Sequence, residues 1–303
     1  MGTIISFINR KGGVGKTTIA VNLGGYLAKS LDRKVLLIDL DAQASASSWL
    51  MTQDRYLEQI VEYPNNPQNS SYQIFRDAIF NESFFNQEVG IQKTVVRDKN
   101  GNVATPNFDL IAANAKLDNL EREIVHYNDL KIAILLEALI NHRIVDYYDY
   151  ILIDCPPNMG SASQNALFAS DVFIIPIIPD PLSFQGFPEL INSASQTLKI
   201  AERRRDDHKE PMCGGLILSH TRDTLAMRDT TEDIRNLLTI YKDGGKLNES
   251  TDIFLSKITY RTAIPDAQGQ GTILATTTGR KTASQTEFED LAYEFDRKFK
   301  DLL

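Results

Sequence analysis

A nine-residue stretch near the start of the chain, residues 10–18, has the composition of a phosphate-binding loop. It reads Arg-Lys-Gly-Gly-Val-Gly-Lys-Thr-Thr and lies between an apolar run at residues 4–8 and a helical pattern that begins at Ile19. Glycines let successive backbone N–H groups point at one anion, and the following helix presents the positive end of its dipole to the same anion. In such a loop Lys16 reaches the β- and γ-phosphates and the Thr17 hydroxyl binds Mg²⁺. The stretch predicts a nucleoside triphosphate site.

Three carboxylates stand at or just after the ends of predicted strands. The apolar run 34–39 ends in Asp39, and Asp41 follows two residues later. A second run, 150–154, ends in Asp154 and is followed by Cys-Pro-Pro. Ligands of open α/β sheets bind beyond the carboxyl ends of the strands, so these side chains are expected to face the nucleotide. The second run has the pattern of a Walker B strand, whose terminal aspartate supports Mg²⁺, usually through a bound water.

The glycine loop departs from the general P-loop pattern and resembles the deviant Walker A loop of the ParA/MinD family of P-loop ATPases. Arg10 stands where the first glycine is usual, and Lys11 adds a second lysine ahead of the glycines. In the resembled family this signature lysine crosses a dimer interface to the partner's nucleotide and acts in trans, like an arginine finger. The resemblance implies an ATP-dependent homodimer in which two protomers enclose two ATP molecules.

The resemblance also gives the acids their roles. Residues 39–45 are similar to the family's D-x-D-P-Q strand end, with Ala42 where proline is usual. By this similarity Asp41 positions or activates the attacking water and Asp39 helps to organise the Mg²⁺ shell. Phosphoryl transfer needs such groups, because the water must be held in line while the developing charge is neutralised. The implied reaction is Mg²⁺-dependent ATP hydrolysis with slow intrinsic turnover.

The site residues fall into three sets. The catalytic residues are expected to be Lys11, Lys16 and Asp41; the nucleotide is expected to contact Lys11, Gly12, Gly13, Val14, Gly15, Lys16, Thr17 and Thr18; and the metal is expected near Thr17, Asp39 and Asp154. Residues 263–274 resemble the family segment that closes over the base. The Ile-Pro pair usual before the late arginine is missing from residues 257–261, so contacts to the base are left open.

Short apolar runs alternate with helical patterns along most of the chain. Seven runs are candidate strands, at residues 4–8, 34–39, 108–112, 150–154, 172–176, 216–219 and 254–258. Continuous apolar runs are typical of strands buried on both faces, and their alternation with helices predicts a parallel sheet. We expect an α/β fold, with a doubly wound, mostly parallel sheet of about seven strands and helices on both faces. Residues 1–303 are expected to form one domain.

The pattern is irregular between about residues 50 and 107, which we interpret as an insertion on one side of the sheet. Residues 63–69 have loop composition, and residues 72–80 indicate a short helix. Apolar residues at 94–96 and 103–104 flank an Asn-Gly turn, which predicts a hairpin. No chemistry is assigned to this segment.

Composition and charge exclude several classes of protein. The 303 residues include 32 Lys and Arg against 40 Asp and Glu, a formal net charge of −8, so any nucleic-acid contact needs a local basic patch. Cys155 and Cys213 are far apart, which supports neither a disulfide framework nor a zinc site. No apolar run approaches the roughly 18 residues of a membrane span, and no signal peptide is recognisable. We expect a cytoplasmic protein with no membrane partner and no N-terminal helix-turn-helix domain.

The late part of the chain carries the basic residues that could form such a patch. They are Arg222, Arg228, Arg235, Lys257, Arg261, Arg280, Lys281 and the run 203–205. Arg222 and Arg261 match by position the arginines with which the resembled family holds DNA phosphates in the ATP-bound dimer. The run 203–205, followed by two aspartates, is more typical of a solvated helix end. The resemblance implies DNA binding that is non-specific, nucleotide-dependent and steeply salt-dependent.

A ParA-type protein would associate with the nucleoid in its ATP state and be released by hydrolysis. It would act in plasmid or chromosome partition or in positioning another cargo, together with a ParB-like centromere-binding or cargo adaptor protein. The alternative is a MinD-like membrane-cycling ATPase, which anchors by its last helix; here residues 288–302 mix acidic and basic positions, which favours a packing helix. A metal-cluster carrier would need bridging cysteines, which the two isolated cysteines do not supply.

Overall fold

The computed structural model describes residues 1–61, 69–98, 100–124, 132–202 and 211–303. A seven-stranded sheet runs through these ranges in the order β3-β4-β2-β5-β1-β6-β7. Its strands are β1 (Thr3–Phe7), β2 (Val35–Asp39), β3 (Ile91–Gln92), β4 (Phe108–Ile111), β5 (Tyr150–Asp154), β6 (Val172–Ile177) and β7 (Met212–Leu218). Neighbouring strands are parallel, except that β3 is antiparallel to β4 at the edge. The predicted α/β fold with a mostly parallel sheet is confirmed.

Helices cover both faces of this sheet. Within the described ranges they are α1 (Lys16–Ser30), α2 (Ser45–Leu50), α3 (Gln53–Tyr56), α4 (Ser71–Phe80), α5 (Gln87–Gly90), α6 (Leu120–Ile124), α7 (Ile134–Asn141), α8 (Ser161–Ala169), α9 (Pro181–Glu202), α10 (Leu225–Asp243), α11 (Ala263–Gly269) and α12 (Ala283–Phe299). Apolar side chains of α1, α2, α11 and α12 form a core on one face. Those of α4 and of α6 to α10 form the core on the other. The sheet is doubly wound, as predicted.

The three central strands bring the predicted site residues together. Every residue of β1, β2 and β5 is buried, because helices cover these strands on both sides. β5 lies between β1 and β2, and the register pairs Asp154 with Phe7 on one side and with Asp39 on the other. The strands therefore end level with one another, at the edge of the sheet where ligands of α/β proteins bind.

One predicted strand is wrong. In the described part of the chain, residues 254–258 form no strand, and isolated bridges occur only at the flanking residues Ile253 and Thr259. The backbone N–H groups of Leu255 and Ser256 donate to the carboxylate of Glu294 in α12, at 2.7 and 2.8 Å, in place of a ladder partner. The side chain of Leu255 is left exposed. The seventh strand is instead β3, a two-residue edge strand within the predicted insertion.

The helix and the hairpin predicted between residues 50 and 107 have different outcomes in the structure. The helix expected at residues 72–80 is α4. The expected hairpin is reduced to one antiparallel bridge between Arg97 and Val103. Most of the loop predicted at residues 63–69, and the whole basic run 203–205, lie outside the described residues. That the chain is one domain carrying this insertion stays a prediction.

The last long helix, α12, packs against the sheet, as its apolar spacing predicts. Phe288, Leu291 and Phe295 are fully buried against the core shared with α1. Thr282 caps the helix N-terminus in a reciprocal pair of hydrogen bonds with Gln285. In the described parts of the chain, we find no helix that is both long and apolar enough to cross a bilayer.

Candidate functional site

The glycine loop connects the end of β1 to the start of α1 and curls around the helix N-terminus. Gly13 and Gly15 adopt left-handed backbone angles, with φ of 74° and 83°, which favour glycine at these two positions. Val14 between them is fully buried, and its carbonyl accepts a hydrogen bond of 2.7 Å from the Ser219 hydroxyl. The loop is therefore anchored at its centre, with its glycines beside the positive end of a 15-residue helix.

Lys16 lies beneath the loop. It is 6% exposed, and its Nζ donates to the carbonyl oxygen of Asn9 at 3.2 Å and to that of Lys11 at 3.5 Å. Burial lowers the pKa of Lys16, and the charge of Asp154 opposes this shift. The two backbone carbonyls thus hold the amine within the loop that the sequence predicts to bind phosphates.

Thr17 and Asp154 form the predicted metal corner. The Thr17 hydroxyl donates to Oδ2 of Asp154 at 2.6 Å. The other oxygen, Oδ1, is buried and has no hydrogen-bond partner among the described residues. Burial, with the nearby charge of Asp39, raises the pKa of Asp154. A hydroxyl beside an unpartnered carboxylate oxygen fits a hard divalent cation, which prefers oxygen ligands.

Asp39 is buried and has protein partners on both oxygens. Its Oδ2 accepts from the Ser47 N–H at 2.9 Å and from the Ser47 hydroxyl at 2.7 Å, while its Oδ1 accepts from the Asp41 N–H at 3.1 Å. The Ser47 hydroxyl in turn accepts from the Ala113 N–H at the end of β4. These bonds fix the turn that carries Asp41. The expected role of Asp39 near the metal stays a prediction.

Asp41 borders the cleft above the loop. Its Oδ1 accepts from the Gln43 N–H at 3.0 Å, which closes a turn leading into α2. Ala44, the residue before α2, has a φ of 50°, and its N–H donates to the Asp41 carbonyl at 2.8 Å. The side chain of Asp41 is half-buried. It is placed beside the glycine loop, as expected of a group that acts on the nucleotide.

The cleft has a volume of about 280 Å³. Its lining residues come from the loop, the two strand ends and two later segments: Gly12, Gly13, Gly15, Lys16, Thr17, Thr18, Asp41, Ser45, Trp49, Pro157, His220 and Gln268. Gln268 belongs to the segment that the resemblance placed over the base. Sequence reasoning missed Trp49 and His220, because nothing local in the sequence marks them. The Trp49 indole N–H donates to the Thr272 carbonyl at 2.7 Å, which ties α2 to that late segment.

Lys11 does not line this cleft. Its Nζ donates to the Ser183 hydroxyl at 2.9 Å and lies 3.3 Å from Oδ2 of Asp180. Both partners stand at the start of α9, on the far side of the loop from α1. The preceding Arg10 also contacts α9, through Glu189 at 2.9 Å. The two lysines of the loop therefore have separate surroundings.

The two predicted DNA-binding arginines also have different surroundings. Arg222 lines a second cavity of about 480 Å³ between α10 and the segment before α11, together with Arg228, Arg235 and Lys257 and with the acids Asp223 and Asp252. Arg228 pairs with Asp223 at 2.6 Å and Arg235 with Glu232 at 3.1 Å. The Arg222 guanidinium lies 5.1 Å from the centre of the Tyr260 ring. Arg261 is not among the lining residues, and its guanidinium pairs with Glu287 at 3.0 Å. Four cations and two acids therefore line the cavity at Arg222, whereas Arg261 lies outside it.

A family model described as an AAA domain matches residues 2–205, which contain the glycine loop and all three strand-end carboxylates. The chain belongs to the ParA/Soj family of P-loop ATPases. Membership agrees with the resemblance that Lys11 and the following glycines indicated. Apart from Pro179, the residues that line the cavity around Arg222 lie beyond the matched residues.

Two relatives in this family show how far the similarity extends. The sporulation initiation inhibitor protein Soj of Bacillus subtilis (strain 168) is 35% identical over 195 residues, which are 64% of this chain and 65% of that protein. The chromosome partitioning protein ParA of Myxococcus xanthus (strain DK1622) is 33% identical over 194 residues, 64% of this chain and 58% of that protein. The chain thus spans less than two thirds of the length of either relative.

The fold of this ParA/Soj chain is similar to that of solved P-loop proteins over its whole length. The cobyrinic acid a,c-diamide synthase of Mycobacterium smegmatis, with bound ATP analogue and magnesium, matches with a TM-score of 0.69 at 19% identity. The match covers 100% of this chain and 97% of that one. At this identity the likeness concerns the fold, which agrees with the predicted sheet.

Proposed function

We propose that this chain is a Mg²⁺-dependent ATPase that binds ATP in the cleft between the glycine loop and Asp41. The observation that carries this proposal is the corner of Thr17 and Asp154, where a buried carboxylate oxygen has no protein partner within the described residues. Lys16 holds the β- and γ-phosphates from within the loop. When bound, Mg²⁺ neutralises charge on those phosphates.

Asp41 is proposed to hold the attacking water in line with the γ-phosphate. Its place on the border of the cleft supports this role, because phosphoryl transfer depends mainly on positioning and on electrostatic stabilisation. Asp39 acts through Asp41, since its carboxylate accepts the Asp41 N–H and the two donors of Ser47. Asp39 is therefore a positioning residue in this proposal, in addition to its predicted place near the metal.

Lys11 is proposed to act on the partner protomer's nucleotide, in an ATP-dependent homodimer. Its side chain points to α9 and does not line its own cleft, which leaves Lys16 as the amine of that cleft. Two protomers related by a two-fold axis exchange the same residue in both directions, so each site is completed by the other chain.

The ATP-bound dimer is proposed to bind DNA without sequence preference and to release it on hydrolysis. Arg222 and the cations beside it in the 480 Å³ cavity support this step, because phosphate contacts dominate non-specific binding. Arg261 contributes once its pair with Glu287 is exchanged for a phosphate. A dimer doubles the contacts and makes binding depend on nucleotide. The cycle would serve chromosome or plasmid partition or cargo positioning, with a ParB-like partner.

A DNA-retention assay with ATP, ADP or no nucleotide tests this function. Wild type is expected to stay on DNA only with ATP, and Asp41→Ala is expected to stay longer, because it cannot hydrolyse ATP. Arg222→Glu combined with Arg261→Glu should dimerise but lose at least about tenfold in DNA affinity. The matched control, Arg280→Glu with Lys281→Glu, makes the same change of charge away from the cavity and should bind like wild type. Equal binding in all three nucleotide conditions would contradict the proposal.

The MinD-like alternative requires an amphipathic helix that is free to enter a bilayer surface. The apolar face of α12 is committed to the core, with Phe288, Leu291 and Phe295 fully buried. The metal-cluster alternative requires cysteines that can reach a partner, whereas Cys155 and Cys213 are both buried. Sedimentation with anionic liposomes in ATP, without DNA retention, would favour the MinD-like function.

A further inference from the structure

We propose that Asp180 and Ser183 form a docking site that holds the Lys11 amine in the nucleotide-free protomer, and that dimerisation must displace Lys11 from it. This inference rests on the proposed role of Lys11 in trans. It concerns the regulation of that residue: the amine that completes the partner's site is held by its own chain until ATP and a second protomer compete for it.

The contact is built from three groups. The Lys11 Nζ donates to the Ser183 hydroxyl at 2.9 Å and lies 3.3 and 3.4 Å from the two carboxylate oxygens of Asp180. The Ser183 hydroxyl donates in turn to Oδ2 of Asp180 at 2.8 Å. The side chains of Lys11 and Asp180 are 39% and 27% exposed, so the pair is only partly screened by water. The amine has both a charged and a neutral acceptor.

Asp180 is held in place before Lys11 reaches it. Its Oδ1 accepts from the N–H groups of Leu182 and Ser183, at 2.9 and 3.0 Å, in the first turn of α9. Burial alone would raise the pKa of Asp180, but the hydrogen bonds from Ser183 and the charge of Lys11 outweigh it and hold the pKa below its ordinary value. The acceptor is thus rigid and negatively charged at neutral pH.

The backbone of Lys11 is fixed next to this acceptor. The Lys11 N–H donates to Oδ1 of Asn9 at 2.9 Å, and the Asn9 amide donates to the Pro176 carbonyl in β6 at 2.7 Å. Because β1 and β6 are parallel neighbours, their ends bring the loop and the start of α9 together. Release of Lys11 is therefore a swing of its side chain and does not require the loop to unfold.

The neighbouring pair of Arg10 and Glu189 offers a matched comparison on the same helix. It joins the same loop to α9 at 2.9 Å, but its side chains are 46% and 70% exposed. Exposed pairs of this kind contribute little. We expect that removing this pair leaves Lys11 docked, whereas removing the charge of Asp180 releases it.

The size of the effect follows from the need to release two lysines per dimer. A partly exposed, charge-assisted contact favours the docked side chain by about twofold, so that about one third of the protomers have Lys11 released. The apparent affinity of one protomer for another falls in proportion to the fraction of protomers whose Lys11 is released. Both protomers of a dimer must have released it, so this fraction enters twice. Loss of the contact should therefore tighten the dimer dissociation constant by about ninefold, roughly the square of the single-protomer factor.

The test uses Asp180→Asn, which keeps a side chain that caps helices well but removes the charge. Sedimentation velocity with a non-hydrolysable ATP analogue gives the dimer dissociation constant, which should tighten by about ninefold in Asp180→Asn and by less in Ser183→Ala. Glu189→Gln is the control and should match wild type. In the nucleotide-free protein, mass spectrometry should show Lys11 reacting about threefold faster with an amine-directed label in Asp180→Asn, because the docked amine is held against Asp180 and Ser183 and is less accessible to the label.

The outcomes separate failure of this inference from failure of the proposed function. If wild type dimerises with the analogue but Asp180→Asn matches Glu189→Gln in both measurements, docking of Lys11 by Asp180 is overturned and the proposed function stands. If wild type does not dimerise at all, the proposed function is contradicted, and the regulatory inference is overturned with it.

Discussion

Lys11 and Lys16 are five residues apart in one loop, yet their surroundings differ completely. Lys16 is buried among backbone carbonyls beneath the loop, whereas Lys11 reaches across to Asp180 and Ser183 in α9. That the two lysines have different roles is a prediction that rests on the loop pattern and on its resemblance to the family. The sequence could not predict that Lys11 contacts Asp180 and Ser183, because these acceptors are about 170 residues away in the chain.

The same limit applies to Ser47, which no motif marks. Its backbone and hydroxyl groups both donate to Asp39, and this network fixes the turn that carries Asp41. A serine inside a short helix is a common residue, and its role depends on the end of β4 lying alongside. The residues proposed to contact phosphates could be named from the sequence because they lie in one short loop, whereas Ser47, which orients the turn of Asp41, could not.

At the residue scale we predict that Asp154→Asn abolishes stabilisation by Mg²⁺. The asparagine keeps an acceptor for the Thr17 hydroxyl but removes the charge beside the metal corner. A ligand at about 100 times its dissociation constant stabilises the folded state by about 2.7 kcal/mol, which should raise the melting temperature of wild type by about 5 °C. Thermal unfolding with ATP, with and without Mg²⁺, measures this. The two proteins should behave alike without Mg²⁺, and an equal Mg²⁺-dependent rise in the variant would refute the assignment.

At the scale of elements, the sequence predicted those strands that are continuous apolar runs followed directly by a recognisable loop. β1, β2 and β5 are continuous apolar runs followed by loops with recognisable residues, and all three were predicted. Residues 254–258 were also predicted to be a strand, but they are not one. Two of their backbone N–H groups donate to the carboxylate of Glu294 in α12. β3 has only two residues, too few for any periodicity to reveal it.

The attachment of α12 gives a prediction about stability. Asp296 in this helix accepts two hydrogen bonds from Arg33, at 2.8 and 3.0 Å, and a third from the buried Tyr150 hydroxyl at 3.0 Å. Asp296→Asn leaves Arg33 without its counter-charge and should lower the free energy of unfolding by about 1–3 kcal/mol. Urea denaturation measures this. Asp290→Asn, on the exposed face of the same helix, should change it by less than about 0.5 kcal/mol, and equal effects in the two variants would show that the contact does not hold α12.

At the scale of the whole molecule, a net charge of −8 coexists with a cluster of cations around the 480 Å³ cavity. Composition alone indicated that any contact with DNA must be local, and the fold brings Arg222, Arg228, Arg235 and Lys257 from separate segments to one cavity, which Asp223 and Asp252 also line. The segment after β7 borders both the proposed nucleotide cleft, through His220, and this cavity, through Arg222. This proximity supports the proposed cycle in which nucleotide controls DNA binding.

The central claim is that each protomer completes the active site of the other through Lys11, and mixing two inactive variants tests it most directly. The Lys11→Ala protomer keeps Asp41 in its own site but supplies no lysine to the site of its partner. The Asp41→Ala protomer supplies Lys11 to its partner but lacks Asp41 in its own site. In an equal mixture half of the dimers are mixed, and each mixed dimer has one complete site of two, so ATP turnover should recover to about a quarter of the wild-type rate. Phosphate release is measured for each variant alone and for the mixture. A mixture no more active than the mean of its two components would contradict action in trans.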